Sequence, residues 1–317
     1  MDEEKQSDND SKIELNVQTI DASITTDEIY KDHINGVDIK IKKNSDSSED
    51  KYFAEMHSIF SYKGILDDKI QKNIFGYYKY DTDGSEYVGE WKQDKKSGKG
   101  IYYYETASEK EIHAYIGEWA DGKRNGKGIY IMSKEEEEKY DYTAFIGEFK
   151  ENVLMKGIKL KNNVKTGYVD LYSGQFTEEG LLSDEKGIMI EGNKLFYGKV
   201  EKEEIQSGIM LLIKNKAEEP IEIEYAYHLE KNDKRFEFNS EVDEKEKETL
   251  LSVISIFMKE EPDDDIGKII EVMKKVKNEV RKENFFENND IQTLINYISS
   301  YETISKEKYG IVSDILE

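Results

Sequence analysis

The middle of the chain alternates aromatic residues with small and polar ones in a pattern that recurs every 24–30 residues. Two segments, beginning at Tyr87 and Tyr115, nearly superpose. Each reads aromatic-x-Gly-Glu-Trp, then six mostly polar residues, then Gly-Lys-Gly-Ile-Tyr. Weaker copies begin at Tyr62, Phe145, Tyr172 and Phe196. A fixed period of this length indicates a repeat architecture.

Within one copy the pattern predicts a β-hairpin. Side chains alternate between the faces of a strand, so Tyr87, Gly89 and Trp91 share one face. The glycine between two large rings leaves room for a neighbouring ring. The polar segments KQDKKS and ADGKRN read as turns, and ETASEKEIHA and MSKEEEEKYDYTA as extended loops. We therefore predict a mainly β fold, an elongated single-layer antiparallel meander of stacked hairpins.

These repeats resemble the MORN repeat family. The matching positions are Tyr87, Gly89, Glu90, Trp91, Gly98 and Gly100, and then Tyr115, Gly117, Glu118, Trp119, Gly122, Gly126 and Gly128. The resemblance implies a binding module, since MORN repeats occur in cytoskeletal and ciliary scaffolds, at membrane junctions, and beside lipid kinase and lysine methyltransferase domains. The roughly 100 residues after the repeats are too few and too poor in glycine to resemble either enzyme.

The pattern divides the chain into three parts. Residues 1–50 form an acidic leader, in which the runs KIELNVQTI and VDIKIKKN, the second after an Asn35-Gly36 turn signal, predict a small hairpin. Residues 44–50 are predicted to be a disordered linker. Residues 51–240 form the repeat sheet, which IEIEYAYHL and FEF cap as strands. Residues 241–317 form a helical bundle that either docks on the sheet or self-associates.

The helical part shows start signals and apolar stripes. Asp243 and Glu246 resemble a capping box, Pro262 starts a second helix, and Asn289 or Asp290 caps a third. A short fourth helix ends at Leu316. The stripes comprise Leu250, Leu251, Ile254, Phe257 and Met258, then Ile266, Ile269, Ile270, Met273, Val276 and Val280, then Ile291, Leu294, Ile295, Ile298 and Tyr301.

Composition narrows the function classes. The net charge of -23 argues against nonspecific binding to nucleic acid or to anionic membrane. The absence of cysteine excludes disulfides, thiol catalysis and cysteine-bound metals. No apolar run approaches the ~20 residues of a membrane span, and the acidic N-terminus lacks a secretory signal. These features favour a cytoplasmic protein.

The motifs of catalysis do not stand out in the chain. The four histidines lack metal-ligand spacing, and Gly98-Lys99-Gly100 lacks the context of a phosphate loop. Asp263, Asp264 and Asp265 fit a helix start better than a calcium loop. We therefore predict no catalytic residues, no metal and no cofactor.

Two sets of residues are candidates for binding. Most rings of the aromatic ladder are expected to form the repeat core, and at least part of the ladder would hold a helix or an extended peptide of a protein partner. Adjacent repeats are expected to place the basic row on one edge of the sheet, where it would bind an acidic ligand; ordinary solvated turns are the plainer interpretation. The aromatic ladder comprises Tyr87, Trp91, Tyr115, Trp119, Phe145, Phe149, Tyr172 and Phe176. The basic row comprises Lys95, Lys96, Lys99, Lys123, Arg124 and Lys127.

Three functions remain open at this point. The leading one is a non-enzymatic scaffold that binds protein partners through the aromatic ladder and the helical tail, in a cytoskeletal or ciliary assembly. The alternative is a peripheral membrane adaptor that binds anionic phospholipid through the basic row. The third is an enzyme or enzyme subunit, which would need a catalytic cluster in residues 215–317.

Overall fold

The computed structural model describes most of the chain from residue 29 onward. The described residues are 29–34, 37–43, 52–57, 61–67, 71–80, 82–136, 139–163, 168–215, 222–232, 235–248, 250–251, 262–282 and 291–299. They form a mainly β structure with short helices near the C-terminus, which confirms the predicted fold class. The chain divides into two compact units, the first comprising residues 1–107, 114–124 and 272–299 and the second the remainder.

The first unit is an antiparallel meander in which each strand pairs with the next. Its strands are β1 (Ile29–Ile34), β2 (Val37–Lys43), β3 (Tyr52–His57), β4 (Ser61–Leu66), β5 (Lys72–Lys79), β6 (Glu86–Lys92), β7 (Lys95–Tyr103) and most of β8 (Glu111–Ala120). The ladders run without a break from β1 to β8.

The second unit repeats this arrangement. Its strands are β9 (Lys123–Glu136), whose first two residues belong to the first unit, β10 (Lys139–Lys150), β11 (Val153–Asn163), β12 (Tyr168–Gln175), β13 (Asp184–Glu191), β14 (Lys194–Glu201), β15 (Glu204–Asn215), β16 (Glu222–Asn232) and β17 (Arg235–Glu241). Consecutive strands pair antiparallel from β9 to β17. The strands expected at IEIEYAYHL and FEF are confirmed as β16 and β17.

The hairpin turns are shorter than the polar segments suggested. Gln93 and Asp94 have φ of 50° and 66°, and Asp121 and Gly122 have φ of 51° and 84°. Two residues with positive φ form the tight turn that matches the twist of paired strands. The prediction that the whole of KQDKKS and ADGKRN is turn was therefore wrong, because their second halves lie in β7 and β9.

Three other expectations need correction or fall outside the structure. The N-terminal hairpin pairs β1 with β2, so its first strand is IYKDHI, and KIELNVQTI lies outside the described residues. The loop predicted after Ile131 is largely strand, because β9 and β10 pair from Glu136 and Lys139 inward. The linker at 44–50, the fourth helix, and Ile254, Phe257, Met258 and Tyr301 also lie outside the described residues.

The helical signals are accurate where the structure describes them. Residues 244–248 are helical, and Asp243 Oδ1 accepts a hydrogen bond from Glu246 N at 2.9 Å, as in a helix cap. Helix α1 begins at the expected proline (Pro262–Arg281), and α2 spans Ile291–Ser299. The α1 stripe from Ile266 to Val280 is buried throughout. In the first unit, α2 contacts β7.

Glycines form a row across the strands of the first unit. The registers place Gly64 opposite Gly76, Gly76 opposite Gly89, Gly89 opposite Gly100, and Gly100 opposite Gly117. A Cβ at Gly89 would lie 2.6 Å from Tyr87 Oη, and a Cβ at Gly100 would overlap the same ring. The row therefore exists because each tyrosine ring lies directly on glycine backbone.

Replacing one glycine of this row tests the packing. Gly100→Ala should lower the free energy of unfolding by about 2 kcal/mol or more, because the buried Tyr87 ring has no room to move. Gly267→Ala is the matched control, since a Cβ at Gly267 in α1 meets nothing within 4 Å. It should be neutral or stabilise by about 1 kcal/mol. Urea denaturation followed by circular dichroism measures both, and equal effects would contradict the packing.

Candidate interaction surfaces

The first face of the sheet carries the tyrosine and tryptophan rings. Tyr87 Oη donates a hydrogen bond to Glu90 O at 2.9 Å, which holds the ring flat over the glycine row. Trp91 packs edge-on against Tyr87 with centroids 5.0 Å apart, and its Nε1 donates to Gly76 O at 3.2 Å. Trp119 contacts Tyr87 edge-on from the next hairpin at 5.4 Å. The rings therefore fill one another's spaces across hairpins.

The glutamate of the repeat motif has a separate role at the base of the hairpin. Glu90 Oε1 accepts a hydrogen bond from Lys99 N at 2.7 Å, beside the shift in register after Gly89. Gly98, with φ of 54°, lies against this carboxylate, where a Cβ would come within 2.6 Å of it. The motif residues Glu90 and Gly98 thus close the bulge together.

Most of the aromatic ladder is buried inside the protein. Seven of its members, Tyr87, Trp91, Tyr115, Trp119, Phe149, Tyr172 and Phe176, are buried, and Phe145 is half-buried. Within the first unit, Tyr87 and Tyr115 are fully covered. The rings are therefore packed without a bound partner. That the aromatic ladder binds a helix or peptide stays a prediction.

The basic row does not lie in turns. Its six members lie in β7 and β9, where alternation sends neighbours to opposite faces. Lys96 is 3% exposed, and its ammonium lies 4.2 Å from the Tyr102 ring and 4.5 Å from the Trp119 ring. Arg124 is 6% exposed and donates to Tyr104 Oη at 3.3 Å. These two cations pack on the rings as part of the first face.

The other four members of the basic row have different environments. Lys95 is exposed and lies 3.3 Å from Asp121, while Lys123 and Lys127 are also exposed. Lys99 points to the second face, where its Nζ donates to Ser299 Oγ of α2 at 3.2 Å. The expectation that all six share one edge of the sheet was therefore wrong for Lys96, Arg124 and Lys99. Acidic-ligand binding by the rest stays a prediction.

The second face of the first unit is the side on which the C-terminal helices pack. It carries buried apolar residues such as Val88, Ile101 and Ile116. Tyr103 Oη donates a hydrogen bond to Met273 O of α1 at 2.8 Å. Lys277 of α1 lies 5.2 Å from the Tyr103 ring. Within the first unit, α2 and the part of α1 from residue 272 onward therefore dock on the face opposite the Tyr87 and Trp91 rings.

One buried carboxylate on this face anchors α1. Glu86 is 2% exposed and accepts hydrogen bonds from Arg281 and, at 2.8 Å, from Tyr77 Oη. Lys277 Nζ lies 3.9 Å from the same carboxylate. Burial raises the pKa of Glu86, but its bonds to Arg281 and Tyr77 lower it more, so the net pKa lies below its ordinary value. Burial, and to a smaller extent the neighbouring Glu86 carboxylate, raise the pKa of Tyr77.

Sequence reasoning missed the Glu86 cluster. Alternation places Glu86 on the Val88 face, so the sequence contained the signal of a carboxylate within an apolar face. Its cationic partners are 191 and 195 residues further along the chain and could not be found from local spacing. Only the helix docking brings them together.

Two surveys of the described residues bear on other functions. No group of three or more His, Asp or Glu side chains among them could hold a metal ion. None of the helices in the described part is both long and apolar enough to cross a membrane.

The stacked hairpins, with their glycine row and ring contacts, define a β-hairpin repeat protein. The sequence model of the MORN repeat matches residues 87–107 and 115–134. The chain therefore contains two MORN repeats, and its hairpin meander fits a MORN-repeat protein. MORN repeats are generally non-enzymatic binding repeats. No curated protein matches the chain.

Charge reversal at two neighbouring lysines tests which of the two is buried. Lys96→Glu should lower the free energy of unfolding by about 3 kcal/mol, because it buries a carboxylate among the rings that now surround an ammonium. Lys95→Glu makes the same charge change at an exposed site and should stay within about 0.5 kcal/mol. Chemical denaturation measures the free energy of unfolding of both variants. A Lys96→Glu variant as stable as the parent would contradict the burial of Lys96.

Neutralising Glu86 tests the anchor. Glu86→Gln should cost about 1–2 kcal/mol at neutral pH, a modest value because Arg281 is 46% exposed. A carboxyl with a lowered pKa adds stability above its unfolded-state pKa, and that stability is lost as pH falls through the folded-state pKa. The parent should therefore lose more stability than the variant as pH falls below 4.5.

Urea denaturation at several pH values measures this difference. Arg281→Gln is the control from the other side of the pair, and the double variant should lose less than the two single variants added together. If the free energies of unfolding of the parent and of Glu86→Gln change with pH in parallel, Glu86 does not hold α1 through its charge.

Proposed function

We propose that this protein is a non-enzymatic repeat scaffold that binds protein partners. The observation that carries the proposal is the fixed position of α1 on the repeats, through Glu86 and Tyr103, with the opposite side of the helix exposed. A repeat sheet that packs against one side of a helix leaves the other side of that helix accessible to a protein partner. The general role of MORN repeats as binding modules supports the same reading.

The helical tail is the preferred contact in this proposal. Contact through the aromatic ladder would use its half-buried member, Phe145, since burial of the others leaves little ring surface for a partner. Self-association through residues 241–317 is a second use of the same tail. A cytoplasmic setting, in a cytoskeletal or ciliary assembly, remains part of the proposal.

The alternative function is a peripheral adaptor on anionic membranes. The exposed Lys95, Lys123 and Lys127 favour it, since they can meet lipid phosphates without unfolding the repeats. Reversal of Lys96 or Arg124 would not test this idea, because both residues are buried. Lys95→Glu combined with Lys123→Glu is the informative variant.

The decisive experiment compares protein and lipid binding with purified full-length chain. Proteins captured from an extract of the source cells are each purified and titrated against the chain by calorimetry, with light scattering to give the stoichiometry. The scaffold proposal predicts a saturable complex of defined stoichiometry that survives the Lys95→Glu, Lys123→Glu double variant. Light scattering on the chain alone reports self-association.

The lipid arm uses flotation with phosphatidylcholine vesicles, with and without phosphatidylserine. The scaffold proposal predicts no flotation beyond that seen with phosphatidylcholine alone. Flotation that requires phosphatidylserine and is lost in the double variant, without any saturable protein complex, would replace the scaffold with the membrane adaptor.

A further inference from the structure

The hairpin formed by β4 and β5 has the same geometry as the hairpin formed by β6 and β7. Tyr62 Oη donates a hydrogen bond to Ile65 O at 2.8 Å. The equivalent bond from Tyr87 Oη to Glu90 O is 2.9 Å long. Each hairpin pairs glycine with glycine across its strands, and each shifts register in the next step of the ladder. The two hairpins of the first unit can therefore be compared position by position.

This comparison places an isoleucine where the hairpin β6–β7 has its bulge glycine. Ile74 stands two residues before Gly76, just as Gly98 stands two residues before Gly100. Ile74 has φ of 59° and Gly98 has φ of 54°, so both residues lie in the left-handed region. Glycine adopts this region readily, whereas a β-branched side chain there is an outlier. The backbone of β5 is therefore strained at Ile74.

The position of Ile74 sets it apart from other residues with positive φ. The other non-glycine residues of this kind in the described part of the chain all lie in two-residue hairpin turns. Ile74 instead lies within a strand, opposite Trp91 of β6. Its side chain is 39% exposed, so burial offsets only part of the strain.

The contact that closes the bulge in hairpin β6–β7 has no counterpart in hairpin β4–β5. In the former, Glu90 Oε1 accepts a hydrogen bond from Lys99 N at 2.7 Å. The residue equivalent to Glu90 is Ile65, whose side chain cannot accept a hydrogen bond. Hairpin β4–β5 thus has the left-handed conformation without its glycine and without its carboxylate. We expect it to open locally more often than hairpin β6–β7.

The strained hairpin also holds the C-terminal end of α1. Lys63 of β4 is buried, and its Nζ donates to the carbonyl oxygen of Lys282, directly after the helix, at 3.5 Å. Tyr77 of β5 donates to Glu86, the carboxylate that binds Arg281. Lys63 and Tyr77 are cross-strand partners, one step from the glycine pair beside the bulge. Opening at the bulge therefore disturbs both contacts to the end of the helix.

We propose that hairpin β4–β5 is a latch, whose strained bulge opens locally and releases the C-terminal end of α1 while the rest of the first unit stays folded. This inference rests on the proposed scaffold function, because it names a regulation of the helical tail. Val276 and Val280 are buried in the docked helix, and release makes them accessible to a protein partner. The strain at Ile74 sets how often this occurs.

The test is hydrogen exchange of the full chain, read by mass spectrometry and corrected for intrinsic rates. Ile74→Gly relieves the strain and should slow exchange of the β5 amides roughly tenfold. Residues 277–282 should slow by a similar factor, because they are released in the same event. The β7 amides are the internal reference and should not change. Ile74→Val is the matched control, since it keeps a β-branched residue, and it should change exchange less than twofold.

A second variant separates strain from the flexibility of glycine. Ile74→Asn should also slow exchange, because asparagine tolerates the left-handed region. Unchanged β5 exchange in both variants would refute the strain, and an equal effect of Ile74→Val would assign it to side-chain size. Slower exchange in β5 without slower exchange in residues 277–282 would refute the latch. Thermal melting shows that the variants are folded.

The latch and the scaffold function fail in different measurements. Exchange is measured on the chain alone, so its failure refutes the latch and leaves the scaffold function intact. The absence of any saturable complex in the calorimetric titration refutes the scaffold function and, with it, the regulatory role of the latch.

Discussion

The contact between a tyrosine ring and bare glycine backbone is the constraint on which the repeats depend. Tyr87 lies over Gly89 and Gly100, and no side chain larger than hydrogen fits beneath it. Because strands pair in register, one such contact fixes glycine at the same height in the neighbouring strand. The glycine row and the ring stacks are therefore two consequences of one packing requirement, repeated from hairpin to hairpin.

This packing also decides which face of the first unit receives the helices. The ring face is filled by its own aromatic and cationic side chains, with Lys96 lying over Tyr102 and Trp119. The second face carries flat aliphatic surface that needs covering, and α1 supplies buried side chains there. Glu86 is a carboxylate within that apolar face, and burying it without cations would be costly. Arg281 and Lys277 meet that need, so docking of the helix and ionisation of Glu86 depend on each other.

Local rules in the sequence predicted most of the elements, but they misplaced some turns and, with them, the faces of the residues that follow those turns. Glycine and aromatic spacing predicted the hairpins, and the Asp243 cap, Pro262 and the α1 stripe predicted the described helices. The predicted position of the basic row was wrong because the turn has two residues rather than six, so that Lys95 and Lys96 already lie in a strand. Alternation then sends these two neighbours to opposite faces. The Glu86 cluster could not be predicted, because it joins residues almost 200 positions apart.

The later hairpins show why the motif fades while the geometry persists. In the first matched repeat, Trp91 stands opposite Lys96, and the cation covers aromatic rings. The equivalent cross-strand pair is Phe149 with Leu154 in one later hairpin and Val200 with Ile205 in another. Tryptophan with lysine, phenylalanine with leucine, and valine with isoleucine thus occupy the same cross-strand position beside a register shift. A hairpin can therefore lose tryptophan and lysine together and keep its fold, whereas the loss of one alone would leave either a gap or a buried charge. This exchange explains how strands beyond residue 134 continue the meander of the two matched repeats without their sequence signature.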